Sequence, residues 1–405
     1  MLPLSDFQEA HLKLKEVLQP TNLIFSDVFS KESQNQVYIK PENMQRTGSF
    51  KVRGAYNKIA KLTEEEKARG VIAASAGNHA QGVALSASMQ GIKATIVMPK
   101  HTPLIKVNAT KQYGAEVVLY GDIYDEAYQK ARELQEEHGY VFVHPFDDKE
   151  VIEGQGTIAL EILEELPDAD VLLVPIGGGG LVAGVAAAAK AIKPSIKVIG
   201  VEPEGAACAL LGMKSGYPVN LRAVSTIAEG AAVRRVGDLA LQYMREYVDE
   251  IITVSDYDLV EAFLLFVERH KMVAEGAGLL SLAALKKIHE RGKNIVSVVS
   301  GGNIDVTTIA SLINKGLIIR GRIFTFTVNL LDRPGELFLI SQIIAEAGAN
   351  VIQLDHNQFK NLARFMDVEL HVTVETNGKE HIKKLTEEFA SKGYQIVPMD
   401  SEKVF

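Results

Sequence analysis

Lys51 stands in the run Thr47-Gly48-Ser49-Phe50-Lys51-Val52-Arg53-Gly54, flanked by glycines and small or apolar residues where a helical stretch begins. Desolvation and the positive end of a helix both disfavour an ammonium, so a lysine placed there can carry a lowered pKa, condense with a carbonyl group or act as a base. Alone it reads as a surface lysine of an amphipathic helix. Three other constellations give it company. Ser75-Ala76-Gly77-Asn78-His79 follows an apolar run and opens a helical one; unpaired amides at such a turn suit a carboxylate or a phosphate. Gly177-Gly178-Gly179-Gly180 lies at the same kind of junction. Four residues without Cβ let consecutive amides close on a phosphate at the next helix's N-terminus. No Gly-Lys-Ser/Thr follows them, which excludes the Walker pattern, and no acidic residue is spaced for a dinucleotide ribose. Ser300-Gly301-Gly302-Asn303 ends a further apolar run. A hydroxyl at the carboxyl end of a strand in an open α/β sheet faces the crevice where ligands bind. Each of the three turns is also compatible with an ordinary helix cap or a merely permissive loop.

The elements that must carry these residues alternate. Apolar runs of four to seven residues, at 71–74, 94–98, 116–120, 171–176, 197–201 and 294–299, each end in a turn and precede a segment of helical period. Their β-branched density, with little alternation, predicts strands buried on both faces and therefore a largely parallel sheet. Segments 123–137 and 256–271 read as amphipathic helices, the second capped by Ser255 or Asp256. After Gly321 the order becomes strand 324–330, turn Asp332-Arg333-Pro334-Gly335, helix 336–347, strands 350–355 and 366–374, helix 380–391 and a strand at 394–398. That is βαββαβ, a ferredoxin-like unit, so we place a domain boundary at residue 320, giving 1–320 and 321–405, with a small lobe at about 45–145 inside the first. The fold class expected is α/β, a two-lobed parallel-sheet domain followed by the ferredoxin-like one.

Composition narrows the functions. The 405 residues are 47% hydrophobic and 23% charged, as in a folded globular protein, and the net charge of -8 offers no footprint for nucleic acid. No apolar stretch is long enough to span a bilayer, since the alanine-rich run before Lys190 is too short. The N-terminal residues lack the apolar core of a secretory signal, and the single cysteine, Cys208, can close no internal disulfide. A cytoplasmic protein without nucleic-acid or membrane partners is the expectation.

Taken in order, the four motifs resemble those of the fold-type II pyridoxal-phosphate enzymes, and in wording the threonine dehydratase branch, over about residues 22–319. The resemblance implies pyridoxal 5'-phosphate as cofactor, held covalently by Lys51, with Phe50 against its ring and Asn78 on its phenolic oxygen. Gly177, Gly178, Gly179 and Gly180 would take the phosphate, and Ser300 the pyridine nitrogen. Ser75, Ala76, Gly77 and Asn78 would hold the carboxylate of an amino-acid substrate. Lys51 is the implied base, and, with no Asp or His evident for the leaving hydroxyl, the cofactor phosphate is the implied acid. The expected products are a 2-oxo acid and ammonia. His79 reads as structural and Cys208 as a small buried residue. Glu202 falls where related serine racemases and dehydratases have a carboxylate of a divalent-cation site, but Cys208 lies near where a second acid is expected, so the resemblance implies no strong magnesium site; a monovalent ion or no ion is the expectation, and we assign no metal.

Leu331-Asp332-Arg333-Pro334-Gly335-Glu336-Leu337 and Gly348-Ala349-Asn350-Val351 resemble the first turn and second-strand entry of ACT domains, over about residues 323–398. This implies a small amino-acid effector near Asp332, Arg333 and Gly335 and a homo-oligomer, dimer or tetramer; a purely oligomerising module is the alternative. Serine racemases share the scaffold, but they carry Ser-Ser-Gly-Asn-His, and here the second position is Ala76. Cysteine synthases differ at the lysine motif. A non-catalytic amino-acid sensor would have no need of Lys51, Asn78, the glycine loop and Ser300 together.

Overall fold

The computed structural model describes residues 2–357 and 367–399, and the chain divides into two compact units, Met1–Ile304 and Asp305–Phe405. The division precedes the helix Val306–Ile319, which the sequence pattern alone had left with the first domain.

The first unit holds two parallel sheets. The larger has the order Ile24–Phe25, Gln36–Pro41, Asn294–Val299, Val171–Pro175, Lys197–Pro203 and Glu250–Val254, parallel throughout except at its first, two-residue strand. The smaller orders Glu116–Leu119, Ala94–Met98, Val71–Ala74 and Val141–Phe142, all parallel. Val171–Pro175 and Ala94–Met98 are buried along their whole length, which is why they show no hydrophobic alternation. The two amphipathic helices form at Tyr124–His138 and Asp256–His270. Ser255 caps the second, with Asp258 completing a capping box.

Helix packing fixes the lysine segment. The helix Lys51–Ala60 lies against Lys149–Glu165 so closely that a Cβ on Gly154 would stand 2.6 Å from Gly54 Cα. Only glycines permit that approach. Two residues beyond Lys51, Arg53 is wholly buried and gives two hydrogen bonds to each of two carboxylates. Its partners are Glu42 at 2.7 and 2.8 Å and Glu161 at 2.6 and 2.8 Å. Lys40 adds an ion pair to Glu161 at 2.7 Å, and Thr21 donates to Glu42 at 2.7 Å. The helix that begins at Lys51 is thereby pinned at its first turn.

In the second unit, Asn350–Asn357, Asp367–Glu375, Ile323–Leu331 and Ile396–Pro398 form one antiparallel sheet in that order, with helices Glu336–Glu346 and Lys379–Ser391. Phe326, Leu370, Val372, Leu385 and Phe389 make its core. Strand order 2-3-1-4 with two helices is the ferredoxin-like arrangement expected. Met366, placed in the third strand from sequence, lies outside the described residues.

Candidate active site

Strand pairing in the larger sheet brings three of the motifs together, and Asn78, following a strand of the smaller sheet, joins them through Asn303. Gln36–Pro41 runs parallel to Asn294–Val299, and beyond their ends the chains stay joined through a bridge between Ser49 and Gly301, the Phe50 amide donating to the Ser300 carbonyl at 3.1 Å, and the Gly302 amide donating to the Gly48 carbonyl at 2.8 Å. Lys51 and Ser300 thus share one wall of a cleft. Phe50, Asn78, the loop 177–180, Phe146 and Glu275 complete the part of the wall that bears on chemistry. Ser75, Ala76 and Gly77 are partly buried in the turn before Asn78 and are not on that wall; the Ser75 hydroxyl accepts the Gly77 amide at 3.2 Å.

The Lys51 ammonium lies 5.1 Å from the centre of the Phe50 ring and donates to the Pro145 carbonyl at 2.7 Å. Desolvation lowers its pKa to about 8, against the opposing pull of the Glu275 carboxylate. Glu275 is itself pushed up to about 7 by burial, although the amide of Asn78 donates to it at 2.6 Å and lowers it in part. The orientation of Asn78 is fixed from both sides, because Asn303 Nδ2 donates to Asn78 Oδ1 and to the Thr47 carbonyl, each at 2.7 Å. Gly48 is required for this network, since a Cβ there would stand 2.5 Å from Asn303 Oδ1. Gly301 is required as well: its Cβ would meet the Glu275 carboxylate.

The glycine loop opens the helix Gly180–Ile192, whose N-terminus has no side-chain cap. Gly179 holds φ +95°, a conformation that other residues rarely adopt. A Cβ on Gly178 would overlap the Phe146 ring, and one on Gly180 would overlap the Phe146 carbonyl. Uncapped first-turn amides facing a cleft beside a lysine fit a phosphate-bearing aldehyde cofactor. Ser300, buried, sits 3.5 Å from the Ala277 carbonyl.

Three residues behave as parts of the frame. His79 Nε2 pairs with the Val143 carbonyl at 2.8 Å, and burial drives its pKa to about 3, so the ring is neutral. Both Glu202 oxygens accept amides of the helix Cys208–Ser215, from Ala209 at 3.0 Å and Leu210 at 2.7 Å; burial raises the Glu202 carboxyl to about 7 and the Cys208 thiol to about 12. Among the described residues no three His, Cys, Asp or Glu side chains are grouped to hold a metal, and no helix is long and apolar enough to cross a membrane.

Sequence reasoning missed Glu275 and Phe146. Glu275 lies in the glycine-rich stretch Ala274-Glu275-Gly276-Ala277-Gly278, which belongs to no strand or long helix, and only its repeated small residues hinted at a close approach. Phe146 follows Val141–Phe142, a two-residue strand too short to leave a periodic signal.

The family model described as pyridoxal-phosphate dependent enzyme matches residues 14–301. An L-threonine ammonia-lyase of Thermotoga maritima is 46% identical over 397 residues, covering 98% of this chain and 99% of that one. Among solved structures, the processed form of threonine deaminase isoform 2 from Solanum lycopersicum superposes with a TM-score of 0.75 at 38% identity, covering 78% of this chain and 88% of its own. Maize serine racemase gives 0.73 at 36% identity, with coverage of 79% and 99%. With motifs, geometry and relatives in agreement, the chain belongs to the pyridoxal-phosphate dependent enzyme family, and its cofactor is pyridoxal phosphate.

Proposed function

We propose that this enzyme dehydrates and deaminates L-threonine, and L-serine as well, to 2-oxobutanoate or pyruvate and ammonia, under the control of an amino acid bound by its C-terminal unit. The observation that carries the first part is the convergence of Lys51, Asn78, the glycine loop and Ser300 on one cleft; the threonine ammonia-lyase relative, alike over nearly its whole length, supports the choice of substrate.

Bound at this site, pyridoxal phosphate supplies an electron sink for the charge left when the substrate loses its α-proton. Lys51 Nζ would hold the cofactor and, once displaced by the substrate amine, take that proton; a pKa near 8 leaves a useful fraction of free amine at neutral pH. The amides of Gly177, Gly178, Gly179 and Gly180 would bind the phosphate. Asn78, with its amide turned by Asn303 and Glu275, would donate to the phenolic oxygen. The Ser300 hydroxyl would face the pyridine nitrogen without charging it, which favours prompt elimination. Ser75, Ala76, Gly77 and Asn78 would receive the substrate carboxylate from the open side of the cleft, with Phe50 against the cofactor ring. The departing hydroxyl would take its proton from the cofactor phosphate, and Glu275, on the same wall and raised by burial to about 7, is a second candidate for that role.

Purified enzyme assayed for 2-oxo acid release from each substrate tests this reading. Lys51→Ala is expected to lose the visible cofactor band and at least a thousandfold in turnover on the scale of covalent and base catalysis, roughly 10³ or more; turnover within tenfold of the parent would refute it. Racemisation is the second reading, favoured by the likeness to maize serine racemase. Ala76 stands against it. Chiral chromatography of residual serine decides the matter, with Ala76→Ser expected to admit D-serine that the parent does not form.

For control, the turn after Ile323–Leu331 is the effector candidate. Gly335 has φ +100° with open space where a Cβ would be, so a ligand can approach the first amides of the helix Glu336–Glu346. Arg333 is paired with Glu336 at 2.6 Å, and the effector carboxylate would draw on it, while Asp332 would meet the ammonium. Calorimetry of the full-length protein with isoleucine, valine and threonine is the test; no binding of any of them leaves the unit structural.

A further inference from the structure

We propose that His144 is a positioning residue for Lys51, acting through the turn His144-Pro145-Phe146-Asp147-Asp148 that its imidazole holds in shape. His144 follows the strand Val141–Phe142. Its Nδ1 accepts the amides of Asp147 at 2.8 Å and Phe146 at 3.3 Å, a role open only to an unprotonated ring nitrogen. Desolvation keeps the imidazole neutral, with its pKa lowered to about 4 against the raising effect of Asp147; Lys51 and Arg132 are the cations facing it, and the Phe146 ring packs edge-on at 4.7 Å.

Every other group of this turn points at something the site needs. The Pro145 carbonyl is the acceptor for Lys51 Nζ at 2.7 Å. The Phe146 ring fills the space in front of Gly178, and its carbonyl closes on Gly180. The Asp147 carboxylate accepts the amides of Asp238 at 3.1 Å and Ala240 at 3.0 Å, capping the helix Asp238–Tyr247. Asp148 caps Lys149–Glu165 through the Val151 amide at 3.1 Å, and that helix packs on the lysine helix. One five-residue turn therefore sets the lysine, the glycine loop and two helix starts relative to one another. Its internal bonds come from a single imidazole. Without that acceptor, two amides lose their partner, the turn relaxes, and the Pro145 carbonyl drifts from Lys51.

The inference rests on Lys51 being the cofactor lysine, which borohydride reduction of the parent holoenzyme and peptide mapping establish separately. The test compares parent, His144→Asn and His144→Leu holoenzymes. An asparagine oxygen can accept the amides two and three residues on; leucine cannot. We expect His144→Asn to keep kcat within about threefold, and His144→Leu to lose about 10- to 100-fold in kcat with KM little changed, the scale of an ångström-sized misplacement. His144→Leu is also expected to shift the pH midpoint of cofactor uptake by the apoprotein, because the free Lys51 amine has lost its acceptor, whereas a fold defect elsewhere would leave that midpoint alone. A folded His144→Leu enzyme with the parent's kcat and midpoint overturns the proposal. So does a His144→Asn enzyme that fails to fold or is as impaired as the leucine variant, and this comparison decides the matter if His144→Leu does not fold.

Discussion

Replacing Arg53 by methionine removes the one cation held between two carboxylates at the first turn of the lysine helix. Four charge-assisted hydrogen bonds, of 2.6 to 2.8 Å, disappear together. Glu42, with no exposed surface, keeps the Thr21 hydroxyl as a donor but loses the guanidinium. Breaking a buried pair from one side costs about 3–5 kcal/mol, because the other charge is left without compensation. For a unit of this size, each kcal/mol moves the melting temperature by about 2 °C, so a fall of about 6–10 °C is expected. The loss depends on pH in a defined sense. Burial alone would raise the Glu161 carboxyl, but the charge and hydrogen bonds of Arg53, followed by those of Lys40, bring it down to about 2. A depressed carboxyl stabilises the fold above its unfolded pKa of about 4.3 and gives that stability up as pH falls towards the folded value. Arg53→Met forfeits most of this. The gap between parent and variant is therefore widest above about pH 5 and narrows towards pH 3. Calorimetric melting from pH 3 to 8 measures it, and a difference under about 2 °C, or one that is flat with pH, would refute the argument.

Gly178→Ala drives a methyl into the Phe146 ring, which cannot retreat while the turn around it is held; overpacking of about 1–3 kcal/mol, expressed at the glycine loop, weakens cofactor binding roughly 5- to 150-fold. Titration of the apoprotein with pyridoxal phosphate reads this out, and parent-like affinity with a parent-like melting temperature contradicts it. The rate of cofactor uptake by the apoprotein is expected to rise with pH through a midpoint near pH 8 and level off by about pH 9, since only the free amine of Lys51 condenses and burial has brought its pKa to about 8. A rate still climbing steeply above about pH 9 means that Lys51 keeps an ordinary lysine pKa.

The motifs were legible because each sits at a strand-to-helix junction, where a run of apolar residues breaks into glycine, serine and asparagine. The buried strands 71–74, 94–98 and 294–299 have the bounds their apolar runs suggested. Legibility failed where placement depends on tertiary contact. Glu275 meets Asn78 from 197 residues away, and no local pattern distinguishes a glutamate that will lose its water from one that will not. The turn at His144 hides for a related reason, its backbone being shaped by a side chain rather than by a propensity. Of the motif Ser75-Ala76-Gly77-Asn78, Asn78 lines the cleft wall at the start of its helix, and the three residues before it form the adjoining turn.

The stitching of Ser49 and Phe50 to Gly301 and Ser300 also bears on how the protein is made. Lys51 leaves the ribosome about 250 residues before the segment that completes its pocket, an interval of roughly 10–50 s at ordinary elongation rates. The small sheet, whose strands all fall between Val71 and Phe142, can assemble in that time from neighbouring segments. The large sheet cannot, because Gln36–Pro41 must wait for Asn294–Val299 to pair beside it. Cofactor capture is thus deferred until the first unit is nearly all synthesised, and the nascent chain meanwhile carries Gln36–Pro41 with one edge unpaired, a place for chaperones or misassembly to act.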